Sequence, residues 1–316
     1  MLKLDHLANF LAVADKLNFR RAAIQVHLSQ SALSRSIQAL ECSVGHTLLI
    51  RGSRRVELTP HGEVLRRHAE RMLRENARLL EALGNMHGRG EGTIAIGLGP
   101  YVAELYGIEA AATLKEDGRL LCRISIGDFR QVTEDVLSRK VDLAICDLAI
   151  ARENHRLVCR HMDSTQFFAF VRPHHPLLKS AELTPAEVFG YPFVGARVPM
   201  RLESIAHTHV HQVDPLTMDT LPTMNAVAPA TSLKLVQNSD TVGFAALSMI
   251  EPWLRSEQIK LVPIRIPEIS LDAGWIHMAD IEKTPLMSRY LDAAEALLAE
   301  QSEKNRRLEL EFGVNA

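Results

Sequence analysis

The stretch Leu28–Glu41, LSQSALSRSIQALE, decides what the rest of the chain has to be. Its apolar residues Leu33, Ile37 and Leu40 recur at helical spacing, which predicts a helix with one buried face. The opposite face carries Gln30, Ser31, Ser34, Arg35 and Gln38, and no acid interrupts it before Glu41. A helix that only faces water usually mixes Glu and Lys, which support it through i,i+4 pairs. A strip of amides, hydroxyls and one guanidinium instead suits base edges and phosphate oxygens. Glutamine can bond adenine bidentately, arginine can do the same to guanine, and serine serves either a base or a phosphate. Gln30, Ser34 and Arg35 are therefore the candidates for base contact, flanked by Ser31 and Gln38, with Ser29 at the cap.

Working outward, the segments on either side complete a nucleic-acid-binding unit. Upstream, Asp5 can cap a helix whose Leu7, Phe10, Leu11, Ala14 and Leu17 keep a 3.6-residue period. Asn18 can cap a second helix, FRRAAIQV, in which Ala22 and Ala23 let a neighbour lie close. After the turn HLS, Ser29 caps the third helix; two helices, a tight turn and a polar-faced helix make a helix-turn-helix. Downstream, LLIRGSRRVELTPHG places Arg51, Arg54 and Arg55 around a Gly-Ser turn between the apolar runs Leu48–Ile50 and Val56–Leu58. This predicts a two-stranded wing with a basic tip, lying on the phosphate backbone or reaching the minor groove. Contacts of that kind carry affinity and salt dependence rather than sequence choice.

Charge is distributed to match. The 316-residue chain has a formal charge of −2, but residues 1–90 hold 14 Lys and Arg against 8 Asp and Glu, a net of +6. The remainder is net −8, so a basic front meets an acidic back. Four scattered cysteines, Cys42, Cys122, Cys146 and Cys159, form no Cys-x-x-Cys pair. That disfavours a disulfide scaffold or zinc ribbon and suits a reducing cytoplasm. The opening MLKLDHLANF reaches Asp5 too early for a signal peptide, and no apolar run approaches a membrane span.

The order Phe19, Ala22-Ala23, Leu28-Ser29-Gln30, Ala32-Leu33-Ser34-Arg35, Ile37, Leu40-Glu41, Gly45, Leu48, Arg51, Arg54-Arg55, Leu58-Thr59 and Gly62 resembles the N-terminal signature of the LysR-type transcriptional regulators. It covers most of residues 4–65. One departure is Ser31, where that family commonly places proline; serine costs little there and adds a hydroxyl near phosphate.

Thr59 can cap a further helix with Pro60 at its first position. Leu65, Ala69, Met72, Asn76, Leu79, Leu83 and Met86 then follow in alternating steps of four and three, a heptad seam. A lone Asn76 within such a seam suits a paired helix, where it can set register. The resemblance implies the same, a linker helix that pairs with a second subunit through Leu65, Ala69, Met72, Asn76, Leu79 and Leu83. The partners expected are a double-stranded DNA operator, RNA polymerase, a small-molecule inducer and further copies of the chain in a homodimer or homotetramer. No membrane association and no cofactor are expected. Gly84–Thr93, with four glycines in ten residues, reads as a hinge.

From TIAIGLG onward, β-like runs (CRISIG, VDLAIC, FFAFVR, PFVGAR, TVGFAAL, GWIHMA) alternate with helical stretches, the mark of parallel sheets covered on both faces. Two α/β subdomains with a ligand cleft beyond the strand ends are expected; the resemblance implies a sensor similar to periplasmic solute-binding proteins. The fold class is thus α/β, with an N-terminal all-α winged helix-turn-helix and a long linker helix. The boundaries are 1–58 for the DNA-binding domain, 59–90 for linker helix and hinge, 91–301 for the effector-binding domain and 302–316 for a tail.

Strand ends nominate Gly99, Pro100, Tyr101, Asp128, Phe129, Arg197, Val198, Met200 and Arg201 as pocket residues, with Asn225 closing the far side. Gly99 and Phe129 stand where many relatives place Ser or Thr for a ligand carboxylate. Their loss leaves Arg197 or Arg201 as the anion partner of an aromatic or largely apolar inducer. The histidines of HTHVH and His174-His175 lack a cysteine or acid at ligand spacing and read as solvated rather than metal-binding. Gly97-x-Gly99 follows a strand, but no third glycine completes a dinucleotide fingerprint, and no nucleophile elbow or P-loop is present. An enzyme or a solute-binding module would have no use for the basic helix-turn-helix, so the sequence favours a regulator.

Overall fold

The computed structural model describes residues 2–51, 56–85, 92–116, 120–180, 183–197, 212–217, 219–225 and 229–314. They divide into two units, Met1–Glu91 and Gly92–Ala316. The first is built from α1 (Leu4–Lys16), α2 (Phe19–Gln25), α3 (Gln30–Val44), the strands β1 (Leu49–Arg51) and β2 (Val56–Leu58), and α4 (Pro60–Asn85).

Its core is filled by the periodic apolar residues. Leu7, Phe10 and Val13 of α1 meet Ala22 and Ala23 of α2 and Leu33, Ile37 and Leu40 of α3. Each large side chain so buried contributes about 1.5–3 kcal/mol relative to exposure. The caps act as their residue types dictate: the Asn18 side chain accepts from the Arg21 N–H at 3.0 Å and Ser29 from the Ala32 N–H at 3.1 Å. Asp5 is not the cap of α1, which begins a residue before it; Lys3 holds that position without a side-chain bond. Asp5 instead lies in the first turn, where the helix dipole favours a carboxylate. Helix α3 ends on Gly45 at φ 74°, a left-handed backbone that a side chain would strain. Strands β1 and β2 pair antiparallel with Leu49 opposite Leu58, while Arg54 and Arg55 at the wing tip lie outside the described residues.

Helix α4 corrects the expected division at residue 59. Thr59 caps it, accepting from the Gly62 N–H at 3.0 Å and donating to the Thr47 carbonyl at 2.8 Å. Its beginning is part of the first unit's own core: Ala69 is fully buried there, with Leu65 and Leu73 packed against the same cluster. Ala69 is therefore not a seam residue, and Leu65 packs in part against its own core. A heptad spacing does not say whose surface fills the stripe, and α1 fills it here.

The second unit holds two five-stranded sheets. The first, ordered β4-β3-β5-β14-β6, comprises β3 (Gly92–Leu98), β4 (Leu120–Ile126), β5 (Leu143–Asp147), β6 (Leu157–Gln166) and β14 (Ser270–Met278). The second, ordered β11-β8-β12-β7-β13, comprises β7 (Phe168–Val171), β8 (Phe193–Gly195), β11 (Met224–Asn225), β12 (Val242–Ala245) and β13 (Lys260–Leu261). A short hairpin, β9 (Gln212–Val213) and β10 (Thr220–Leu221), stands apart.

The sheets are mixed rather than wholly parallel: β3 pairs parallel with β4 and β5, but β14 runs antiparallel to β5 and β6. The chain leaves the first sheet along β6, crosses at Phe167, and returns from β13 into β14, so the returning strand enters reversed. The crossings are laced together: Gln166 Nε2 donates to the Phe167, Ile266 and Ile269 carbonyls, each at 2.9 Å.

Helices α5 (Pro100–Val102), α6 (Ile108–Thr113) and α7 (Phe129–Leu137) belong to the first subdomain, with a π-helical turn at Ala103–Gly107 between α5 and α6. Helices α8 (Pro185–Phe189), α9 (Pro229–Gln237) and α10 (Leu247–Arg255) belong to the second. The last helix, α11 (Pro285–Glu311), contradicts the expected tail from residue 302. Its first half buries Met287, Tyr290, Leu291 and Ala294 against the first subdomain, and Leu308 joins Ile250 and Leu254 in the second. Helix α10 starts at Ala246, which has no capping side chain; Asn305 supplies the acceptor from α11, 2.8 Å from the Ser248 N–H. At the other end of α10, Arg255 donates to both carboxylate oxygens of Glu311 at 2.7 and 2.9 Å. No described helix is long and apolar enough to cross a membrane.

Candidate functional site

On α3, the buried and polar faces separate cleanly. Leu33, Ile37 and Leu40 have no exposed surface, while Ser29, Gln30, Ser31, Arg35 and Gln38 are exposed and Ser34 is half-buried. The Ser29 and Ser31 hydroxyls lie 3.1 Å apart at the start of the helix. The turn from α2 holds His27 at φ 54°, the left-handed residue that redirects the chain into α3. Glu41, the acid that ends the strip, holds the fold together: its Oε1 accepts from the Leu48 and Leu49 N–H groups at 2.8 and 3.3 Å. It ties the end of α3 to the wing, which its position in sequence does not reveal.

Arg20 and Arg21, which no motif singles out, are exposed in the first turn of α2. Two cations at a helix N-terminus oppose the dipole, and that adjacency is the available signal. The backbone of Arg51 pairs with Val56 in the wing. Along α4, Met72 and Leu79 are exposed and Asn76 is half-buried; the Leu83 side chain lies outside the described residues.

The second unit carries a half-open cavity of about 90 Å³. Gly99, Pro100 and Tyr101 after β3, Asp128 and Phe129 after β4, and Arg197 after β8 all line it, as the strand-end rule for such sheets requires. Most of its wall is not marked by the strand ends. Phe193 and Phe244 converge on it from the second sheet, Phe189 from the end of α8, Phe167 and Ile269 from the crossing segments, Leu271 from the start of β14 and Asp147 from the end of β5. Phenylalanines in apolar runs read as core until the two crossings bring them to one place. Tyr101 stands edge-on to Phe167 at 4.7 Å, and its hydroxyl lies so near Gly195 that a Cβ there would come within 2.9 Å. Burial pushes the Tyr101 phenol up to about 12, against the opposing effect of a hydrogen bond to the Ala196 backbone, so it stays neutral. Asp128 caps α7, accepting from the Arg130 and Gln131 N–H groups at 3.0 and 2.9 Å.

Two expected pocket assignments change. Asn225 does not close the cavity; it sits exposed on the edge strand β11, paired with Gly195. Arg197 lines the cavity but is already engaged: its Nη1 donates to Asp214 Oδ2 at 2.7 Å, Thr217 Oγ1 at 3.1 Å and Asp219 Oδ2 at 3.4 Å. Its Nε lies 3.6 Å from Asp128 Oδ2. Val198, Met200 and Arg201 lie outside the described residues, as do the histidines of HTHVH. Burial pushes the Cys146 thiol up to about 12 and raises those of Cys122 and Cys159, which disfavours the reactive thiolate.

Comparison with known proteins agrees with both halves. Residues 4–63 match the family of bacterial regulatory helix-turn-helix proteins, lysR family, and residues 87–299 match the LysR substrate binding domain. The SDS degradation transcriptional activation protein of a Pseudomonas species is 31% identical over 267 residues, covering 84% of this chain and 85% of that protein. The HTH-type transcriptional regulator GbpR of Azospirillum brasilense is 28% identical, over 97% of this chain and 89% of its own. Among solved structures, full-length CbnR complexed with its target DNA superposes with a TM-score of 0.63 at 16% identity, over 94% of this chain and all of that one (100%). At that identity the likeness speaks for the fold.

Proposed function

The chain belongs to the lysR family and is a DNA-binding transcriptional regulator with an effector-binding domain; from that premise we propose how it reads DNA and what it senses. Gln30, Ser34 and Arg35 contact base edges in the major groove. Ser29, Ser31 and Gln38 flank them, and Arg51 with its wing neighbours Arg54 and Arg55 holds the phosphate backbone, joined by Arg20 and Arg21. The observation that carries this is the exposed face of α3, free of carboxylates from Gln30 to Gln38 above a fully buried apolar face.

The protein acts in the cytoplasm as a homodimer or homotetramer, presenting two reading helices to a roughly palindromic operator. Helix α4 supports this: Met72 and Leu79 are exposed on either side of a half-buried Asn76. The apolar cavity takes a small-molecule effector, which changes transcription through its different affinities for two arrangements of the sensor, with RNA polymerase as the final partner.

The test is fluorescence anisotropy with DNA flanking the protein's own gene, over a salt series. Arg35→Ala and Gln30→Ala should each cost about 1–3 kcal/mol on the specific site. Arg51→Ala should weaken all sequences alike and lower the salt slope by about 1. Unchanged operator affinity in both α3 variants would reject the assignment.

A further inference from the structure

Apolar contact alone does not orient the polar-faced helix α3. Leu7, Phe10 and Val13 of α1 share a buried cluster with Leu33, Ile37 and Leu40 of α3, and burial of that kind is non-directional. It makes the two helices meet without fixing how far one is rolled about its own axis. On this helix the roll matters. Side-chain tips stand about 5–6 Å from a helix axis, so a roll of about 10° moves them by about 1 Å. A base-edge hydrogen bond of about 2.9 Å does not survive a stretch of that size.

A polar link supplies the missing direction. Asn9 Nδ2 of α1 donates to Ser36 Oγ of α3 at 2.9 Å. Both residues are half-buried, and Ser36 stands between the exposed Arg35 and the fully buried Ile37. A hydrogen bond weakens steeply as it bends, so this one indexes the roll of α3 to α1. Helix α1 is in turn held to α4: Leu65, Ala69 and Leu73 belong with its apolar residues in one cluster, and Asp15 accepts from Arg66 Nη2 at 2.8 Å. Polar pairs set into an apolar interface are known to specify one arrangement among several that packing would allow. We propose that Asn9 is a positioning residue for sequence discrimination: acting through Ser36, it sets the roll of α3 and so the placement of Gln30, Ser34 and Arg35 on base edges. This rests on the reading of α3 as the base-contacting helix.

The test uses the full-length protein and two duplexes of equal length, one from the DNA flanking its own gene and one with that sequence scrambled, by fluorescence anisotropy over a salt series. Asn9→Leu and Ser36→Ala each lower the preference for the first duplex about five- to twentyfold. Affinity for the scrambled duplex and its salt slope hold, because phosphate contacts come from the wing and α2. The double variant is no worse than either single one, and Ser36→Thr, which keeps the hydroxyl, keeps the preference. Hydrogen exchange at the Leu33, Ile37 and Leu40 amides reports whether the core of each variant is intact. An unchanged preference in both single variants overturns the positioning role. So does a loss shared by both duplexes and accompanied by faster exchange, which marks Asn9 as merely structural. If Arg35→Ala and Gln30→Ala are without effect, what falls is the reading of α3 itself.

Discussion

Gly62→Ala sets two well-known effects against each other. Gly62 lies in the first turn of α4, where alanine gains about 0.5–1 kcal/mol over glycine in helix propensity. However, a Cβ at this position would sit 2.2 Å from the Leu48 carbonyl oxygen, 3.2 Å from its carbon and 3.0 Å from Leu58 Cδ2. A relaxed carbon–oxygen approach is about 3.3 Å, so α4 and the base of the wing must part by roughly 1 Å. No rotamer change relieves a clash with backbone. The same Leu48 oxygen accepts the Thr59 N–H at 3.0 Å, so turning it away forfeits a bond worth about 0.5–1.5 kcal/mol. Overpacking costs about 1–3 kcal/mol. Packing therefore outweighs propensity, and the first unit should lose about 1–3 kcal/mol.

The two tryptophans, Trp253 and Trp275, both lie in the second unit, so their fluorescence is an internal control that should not change. The loss is read in the first unit by hydrogen exchange at the amides of Leu33, Ile37 and Leu40, which should quicken roughly 5- to 150-fold. Operator affinity should fall with it, because Leu48 leads into β1. Unaltered exchange, or slower exchange, would refute the reasoning.

Three further outcomes follow from the second unit and from α4. Asn305→Ala leaves the Ser248 N–H without its acceptor and should lower stability by about 1–2 kcal/mol, seen as an earlier urea midpoint in Trp253 fluorescence; Asn305→Asp should keep most of it. Asp214 has its carboxyl drawn down from 3.8 to about 2, first by the Arg197 hydrogen bond. A depressed acid contributes fully above its unfolded value and is lost as pH falls through its folded one. The melting difference between wild type and Asp214→Asn should thus be level from neutral pH to about 4 and close between about 4 and 2; a difference that widens into acid would contradict the pairing. Asn76→Leu should tighten self-association while loosening its register, and wild-type protein sedimenting as a monomer at micromolar concentration would remove the paired helix.

Local chemistry is the part legible in sequence. Asn18, Ser29 and Thr59 cap the helices they precede because short side-chain acceptors reach N–H groups two or three residues on, a relation fixed within one turn. The polar strip of α3 is readable for the same reason. What depends on distant partners is not. Ala69 fits a seam by spacing, but only the packed chain shows that α1 already occupies that stripe. Arg197 looks available as an anion clamp because Asp214 and Asp219 reach it only through the β9–β10 hairpin. Asp147 and Phe167 come to line one cavity through a crossing that no periodicity records.

Helix α11 has a mechanical consequence for how a sensed molecule could be reported. Two crossings alone, at Phe167 and ahead of Ser270, would let the lobes swing freely, as a book opens on its spine. A single stiff rod pinned into one lobe by Tyr290 and riveted to the other by Asn305, Leu308 and Glu311 forbids that swing unless the rivets shear. Any swing about the crossings therefore has to strain that rod or break its contacts with Ser248, Ile250 and Arg255.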